Sequence, residues 1–318
     1  MLTIQMNQPI EAHYDHPEIA LAVGFFDGLH LGHQAVINEM IKIADQKSLK
    51  KAVMTFDPHP SVVLNPEKKR TDYLTPLNEK KRLLEQMGID YLFIVPFTSS
   101  FAKMEERDFI QDYFTNNKVK HVIAGFDFTY GKFGKGNMLK LDSDKVGFEV
   151  TAVSKQALNN EKISTTQIRE DLHSGEIQHA NAQLGRTYKI TGLVVQGEKR
   201  GRTIGFPTAN VMPNEEFVLP RLGVYAVTLK RESTGVSYHG VCNIGVKPTF
   251  HDPEKSQVSI EVNIFDFNES IYGERVEVSW YDFIRPEQKF DGIDALIHQI
   301  NQDKQTAIDI LSKLNLQQ

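Results

Sequence analysis

Leu21-Ala-Val-Gly-Phe-Phe-Asp-Gly-Leu-His-Leu-Gly-His-Gln34 is the stretch whose reading decides how the first half of this chain folds. It begins within a short apolar run, Ile19 to Val23, long enough for a buried strand. It then turns through Gly24, Gly28 and Gly32 and continues as Gln34-Ala-Val-Ile-Asn-Glu-Met-Ile-Lys-Ile-Ala44, whose apolar spacing suits a helix. Strand, glycine-rich turn and helix together make an anion site. The first helical turn offers N–H groups without intrahelical partners and the positive end of the helix dipole. His30 and His33 would stand at that terminus and donate hydrogen bonds to phosphate oxygens, while Gly32 lets a ligand approach the backbone. A histidine pair beside a turn is often only solvated or structural, and no cysteine lies nearby to complete a zinc set.

Outward from this unit the pattern repeats. Lys51 to Phe56 reads as a strand, ending in Asp57-Pro-His-Pro60, where the prolines stiffen the turn and deny it a helical start. Thr75 to Met87 has a cap residue, an early proline and helical periodicity, and stops at Gly88. Tyr91 to Val95 and His121 to Ala124 are further strands, with a helix over Glu106 to Phe114 between them. The alternation predicts a parallel sheet with helices on both faces and ligands at the carboxyl ends of its strands. The fourth strand runs into Gly125-Phe-Asp-Phe-Thr-Tyr-Gly-Lys-Phe-Gly-Lys-Gly-Asn137, whose glycines and lysines can wrap a phosphate chain. Next, Ile163-Ser-Thr-Thr-Gln-Ile-Arg-Glu170 places hydroxyls before an amphipathic stretch to Leu184. Helix capping accounts for the hydroxyls. Arg169 on an early helical turn has the geometry for phosphate oxygens.

Bulk properties narrow the field. A chain of 318 residues has room for two domains, and 40% hydrophobic with 24% charged residues is ordinary for a globular protein. A net charge of −5 argues against general affinity for nucleic acid or anionic membrane. One cysteine, Cys242, excludes an intrachain disulfide and suits a reducing compartment. With no signal-peptide pattern and no apolar stretch of membrane-spanning length, cytoplasm is the expectation.

The character changes near Gln183. Short alternating runs follow at Tyr188–Val195, Gly223–Leu229, Ser237–Ile244, Val258–Ile264 and Glu274–Trp280, divided by Gly, Pro and Asn turns. They predict an antiparallel barrel, and a helix over Gly292 to Lys313 follows. The expected division is residues 1–183 and 184–318. Gly197-Glu-Lys-Arg-Gly-Arg-Thr-Ile-Gly-Phe-Pro-Thr-Ala-Asn210 joins basic residues to a proline-fixed turn, and Thr208 and Asn210 offer hard oxygen ligands for Mg²⁺. Its plain reading is a basic hairpin tip. Glu261 sits mid-strand with Ser259 and Asn263 on its face. Such a carboxylate is commonly just solvated, or serves as a general base. Asn65 to Asp72 reads as solvated loop and is assigned nothing.

Gly-Phe-Phe-Asp-Gly-Leu-His-Leu-Gly-His (24–33) resembles the His-x-Gly-His signature of nucleotidyltransferases, in the version found in prokaryotic bifunctional riboflavin kinase/FAD synthetases. Asp127 matches the family's Gly-x-Asp-Phe-x-Phe-Gly pattern, with Tyr130 for the second Phe. Residues 163–169 match its Ile-Ser-Ser-Thr-x-Ile-Arg motif, with Thr165 for Ser, and 205–210 resemble the riboflavin kinase signature. The resemblance covers about residues 17 to 310. It implies an α/β, Rossmann-like nucleotidyltransferase domain with a parallel sheet, then a mainly antiparallel β-barrel riboflavin kinase domain with a C-terminal helix. It implies riboflavin phosphorylation to FMN with ATP and Mg²⁺ in the second domain, and FMN adenylylation to FAD with release of pyrophosphate in the first.

The residue roles follow from the same resemblance. Glu261, His30, His33 and Arg169 would be catalytic. Nucleotide and phosphate would meet Gly24, Phe25, Asp27, Gly28, Gly32, Asp127, Ser164, Thr165, Thr166, Gly205, Pro207 and Thr208. Asn210, Arg285 and Phe290 would complete the flavin site, with Thr208 and Asn210 holding the metal. Partners are the small molecules riboflavin, FMN and ATP; oligomeric state is left open. Two alternatives stand beside this: one activity retained alone, or a flavin-binding regulator without turnover.

Overall fold

The computed structural model describes residues 1–6, 16–64, 72–144, 147–158, 161–198, 200–249 and 252–314. Residues 65–71 of the stretch read as solvated loop lie outside them. The chain folds as two compact units, Met1–Thr165 and Thr166–Gln318.

The first unit is built on a six-stranded, wholly parallel sheet: β1 (Leu2–Gln5), β2 (Ile19–Val23), β3 (Lys50–Asp57), β4 (Tyr91–Pro96), β5 (Val119–Gly125) and β6 (Glu149–Val153), in the order β1-β4-β3-β2-β5-β6. Both faces are covered. Leu21 and Val23 enter one core with Met54, Phe93 and Phe109, while Ala20 and Ala22 enter another with Ile37, Met40 and Leu84. Burial on both faces is why β2 reads as an unbroken apolar run. Helix α1 (Leu31–Lys47) follows β2 and buries Val36, Ile37, Met40, Ile43 and Ala44 as one stripe. Helix α2 (Leu77–Gln86) precedes β4. Sequence neighbours run outward from β2 through β3 to β4 on one side, and the order reverses to β5 and β6 on the other. The crevice at the carboxyl ends of β2 and β5 is therefore the place for a ligand.

Three details differ from the expectation. Two edge strands, β1 and β6, were not anticipated. The turn after β3 does not exclude a helix: Pro60 opens a short one, Pro60–Leu64, since proline lacks only an N–H that the first helical turn leaves unpaired. The helix from Glu106 is regular only to Phe109 and continues over Ile110–Thr115 as a wider π-type turn.

The second unit opens with helices α3 (Thr165–Ser174, its first residue belonging to the first unit) and α4 (Ile177–Leu184), separated at Gly175, whose φ of +92° suits glycine. A closed antiparallel barrel follows: β7 (Tyr188–Val195), β8 (Ala209–Pro213), β9 (Gly223–Arg231), β10 (Ser237–Thr249), β11 (Asp252–Ile264) and β12 (Arg275–Arg285), arranged β7-β8-β11-β10-β9-β12. Its strands extend the five expected ones and add β8, which sits inside the Gly-Phe-Pro-Thr-Ala-Asn signature. Helix α5 (Ile293–Leu314) packs Ala307 and Leu311 against Ala226 and Phe265. Asn181 on α4 donates from its amide to the Trp280 carbonyl at 2.9 Å, which ties α4 to the barrel.

Candidate active sites

In the first unit the loop between β2 and α1 is pinned from several directions. His30 caps α1: its Nδ1 accepts the His33 backbone N–H at 3.2 Å. An accepting Nδ1 places the ring proton on Nε2. The His33 ring stacks on His30 with centroids 3.6 Å apart, and the Phe26 ring meets His33 edge-on at 5.4 Å. A side chain at Gly32 would put its Cβ 3.1 Å from the His30 ring, so glycine here makes room for the stack. Phe26 and Leu29 both hold positive φ, +54° and +41°, a cost concentrated in the loop that carries the histidines.

Asp27 and Gly28 serve the loop itself. The Asp27 carboxylate, 2% exposed, accepts the Thr75 N–H at 3.0 Å, and the Thr75 hydroxyl accepts the Gly28 N–H at 2.7 Å. Thr165 donates its hydroxyl to the Asp27 carbonyl at 3.2 Å. The loop opens on a cavity of about 990 Å³ lined by Gly24, Phe25, His30, Gly32, His33, Asp127, Ser164 and Thr165, among others; Asp27 and Gly28 are not on its wall. Phe56, Phe97, Phe101, Met104 and Phe109 give it an apolar side, and Lys103, Lys155 and Lys162 a cationic one. Lys162 Nζ stands 4.0 Å from Asp127. The volume lies at the upper end for small-molecule sites. Thr166, which is exposed, and Arg169, which is half-buried, follow on α3 in the second unit.

Sequence reading overlooked one group here. Lys80 of α2 is 4% exposed, and burial lowers its pKa to about 8 against the opposing pull of Asp27 and Asp57. The signal was its spacing, three residues after Leu77 and four before Leu84, which sets it on the apolar stripe of α2.

In the second unit Glu261 lies on β11 directly opposite Asn210 of β8 and Asn243 of β10. Its neighbours Ile260 and Val262 are buried and Glu261 is half-buried, so it faces away from the barrel interior beside the two asparagines. The Thr208 hydroxyl is 3.3 Å from Glu261 Oε2. Asn263, two residues on, donates to the Pro207 carbonyl at 2.8 Å and fastens the turn to the same face. Gly205 takes a φ of +86° within that turn. Gly197 lies against Asn210, where a Cβ would come within 2.3 Å of its amide. Asn243, which sequence reading passed over, donates to Glu287 at 3.4 Å.

These oxygens fit a magnesium ion shared with a nucleotide. Among the described residues no group of three His, Cys, Asp or Glu can hold a metal by itself. Mg²⁺ asks for less, one or two protein oxygens with waters and substrate phosphates, and Thr208, Asn210 and Glu261 supply hard oxygens on one face.

Arg285 is engaged with protein groups. Its Nε and Nη2 meet the Asp303 carboxylate at 2.9 and 2.7 Å, and Nη1 donates to the Pro286 carbonyl at 3.0 Å. Its guanidinium lies 5.7 Å from the centre of the half-buried Phe290 ring, tying the end of β12 to α5.

The family models place both units. Residues 12–167 match FAD synthetase and residues 184–311 match riboflavin kinase. A Bacillus subtilis protein named bifunctional riboflavin kinase/FMN adenylyltransferase is 49% identical over 295 residues, covering 92% of this chain and 93% of that one. One of the same name from Listeria monocytogenes is 46% identical, covering 99% of each. A crystal structure titled as a macrolide-efflux protein from Streptococcus pneumoniae superposes with a TM-score of 0.87 at 34% identity, covering 96% of this chain and 99% of that one. No helix among the described residues of the present chain is long and apolar enough to cross a membrane. With the two family domains in order along one polypeptide and relatives matched over nearly their full length, the chain belongs to the bifunctional riboflavin kinase/FMN adenylyltransferase family.

Proposed function

We propose that the chain runs the family's two reactions at separate sites, riboflavin phosphorylation beside Glu261 and FMN adenylylation in the cavity beside His30. The observation that carries this is where the histidine pair and the carboxylate–hydroxyl pair fall along the chain. The histidine pair belongs to Met1–Thr165, and the Thr208–Glu261 pair to Thr166–Gln318.

For adenylylation, the FMN phosphate attacks the α-phosphorus of ATP and pyrophosphate leaves. A phosphate monoester with a second pKa near 6 is already largely ionised at neutral pH, so no side chain has to remove a proton. Alignment and positive charge suffice. His30, with its proton on Nε2, donates toward phosphate oxygen from the start of α1, and His33 is held beside it by stacking. Ser164, Thr165 and the wall lysines contact the phosphates, and the aromatic side of the cavity takes the flavin ring. Asp27 and Gly28 act through the loop rather than on the nucleotide. Arg169 is assigned to this chemistry from its motif.

For phosphorylation, Glu261 takes the proton of the ribityl 5′-hydroxyl as that oxygen attacks the γ-phosphorus of ATP, whose bond to the β,γ-bridging oxygen breaks to release ADP. Thr208 and Asn210 would hold Mg²⁺ with the phosphates, and the ion would supply positive charge beside the transferring group. Gly205 and Pro207 shape the turn around the nucleotide. Arg285 sets the position of Phe290 at the flavin edge through its tie to Asp303.

Incubation with riboflavin, ATP and Mg²⁺, followed by chromatographic separation of flavins, should yield FMN and then FAD. Glu261→Ala should abolish FMN formation and leave conversion of supplied FMN to FAD. His30→Ala and Arg169→Ala should do the reverse. Loss of both activities in one folded single variant would contradict separate sites.

A further inference from the structure

We propose that Lys80 is a positioning residue for adenylyl transfer, its buried ammonium holding the backbone that carries the histidine pair. The inference rests on reading the first unit's cavity as the adenylylation site. Lys80 Nζ donates to the Phe25 carbonyl at 2.8 Å and to the Thr55 hydroxyl oxygen at 3.0 Å. The Thr55 hydroxyl donates in turn to the same carbonyl at 2.8 Å, so both its lone pairs are used. The ammonium also lies 4.6 Å from the centre of the Phe25 ring. This clamp acts immediately before Phe26, the residue held at a φ of +54°. Phe26 in turn packs edge-on against His33, and His33 stacks on His30. Contact therefore runs unbroken from Lys80 to both histidines, although Lys80 is not on the cavity wall.

The need for a cation follows from what faces it. Asp27 on the loop and Asp57 at the end of β3 both act electrostatically on Lys80, and Glu79 on its own helix is paired with Arg82 at 2.7 Å. His59 packs against the Phe25 ring, 4.4 Å between centroids. Methionine at position 80 would remove a positive charge beside the buried Asp27 carboxylate and leave the Phe25 carbonyl without its second donor.

Burial lowers the Lys80 pKa to about 8, so the clamp loses its charge within an accessible range. The sign for stability is opposite to that for activity. A lysine whose folded pKa lies below its unfolded value of 10.5 makes folding more favourable as pH rises from about 8 toward 10.5. Adenylyl transfer should therefore weaken across that range with no fall in thermal stability attributable to this group.

The test follows FAD formation from supplied FMN and FMN formation from riboflavin in the same full-length protein. In the native protein, kcat/KM for FAD formation should fall about tenfold for each pH unit above about 8, with no parallel fall in FMN formation. Lys80→Met should lower kcat for FAD formation by about 10²-fold, with a smaller change in KM for ATP and FMN formation retained. Lys80→Arg, which stays charged, should move the alkaline fall upward. A flat alkaline profile in the native protein overturns the proposal, even if Lys80→Met does not fold. So does Lys80→Met with native kcat and profile. His30→Ala is measured beside them: if it keeps FAD formation, the reading of the cavity has failed, whereas if it loses that activity while Lys80→Met keeps it, only the role of Lys80 has.

Discussion

The Thr208 hydroxyl stands 3.3 Å from Oε2 of Glu261 and joins the turn after Pro207 to the middle of β11. Glu261→Gln keeps a partner for that hydroxyl and keeps the side-chain shape, yet it cannot take up a proton. FMN formation should fall by about 10²- to 10⁴-fold with little change in KM for riboflavin. Steady-state kinetics with riboflavin decide it: a Gln variant retaining kcat would remove Glu261 as the base.

Gly32 allows His30 and His33 to stack. In Gly32→Ala the new Cβ would lie 3.1 Å from the His30 ring, so the ring has to shift. FAD formation from FMN should drop about 10²-fold while FMN formation stays. An alanine variant with native adenylylation kinetics would show that the stack has no bearing on that reaction.

Asp303, 3% exposed, receives two nitrogens of Arg285 and the Gln299 amide at 2.9 Å. Asp303→Ala leaves a mostly buried guanidinium without its counter-ion and should cost about 3 kcal/mol. The double variant Arg285→Met, Asp303→Ala should recover part of that loss. Denaturant unfolding of the native protein, the two single variants and the double variant measures it, and additive losses would contradict the coupling.

Arg231 grips Glu274 through two nitrogens, at 2.9 and 2.7 Å, and Glu269 through a third at 2.7 Å. Hydrogen bonds from Arg231 and Ser233 hold the Glu274 carboxyl below its usual range. A carboxylate with a lowered folded pKa stabilises above its unfolded pKa and loses that contribution as pH falls through the folded value. Glu274→Gln should therefore lower Tm at neutral pH, with the difference from native narrowing below about pH 4.5. A gap that stays constant to pH 3 would refute the linkage.

Much of this architecture was legible because the strongest signals are local. The β2 run, the turn glycines and the α1 stripe all point to one strand–turn–helix, and no distant contact overrides them. Edge strands were harder. Leu-Thr-Ile-Gln in β1 and Glu-Val-Thr-Ala-Val in β6 mix polar and apolar residues, since each has only one sheet neighbour. β8 escaped notice because Pro and Asn are poor strand formers, and its place is set by pairing with β7 and β11. Among the candidate site residues, His30 and Thr208 stood out by motif and Glu261 by its place on the polar face of a strand, whereas the inward turn of Asp27 depends on Thr75, 48 residues away. Arg285 looked available to a ligand in sequence and is engaged by Asp303, 18 residues on. Such partners are fixed by tertiary packing and leave no mark in local spacing.

The alternation along β11 makes Glu261 intolerant of slippage. Displacing that strand by one residue would turn Val262 outward and drive the carboxylate among Ile260's buried neighbours. Because the barrel is closed, β11 is locked on both sides, by β8 and by β10, and neither flank can let it slide. Single-residue deletions between Val258 and Ile264 should thus be far more damaging to folding than replacements of the outward side chains. Over generations this segment should keep its length and its Glu261 while the spelling around that residue drifts.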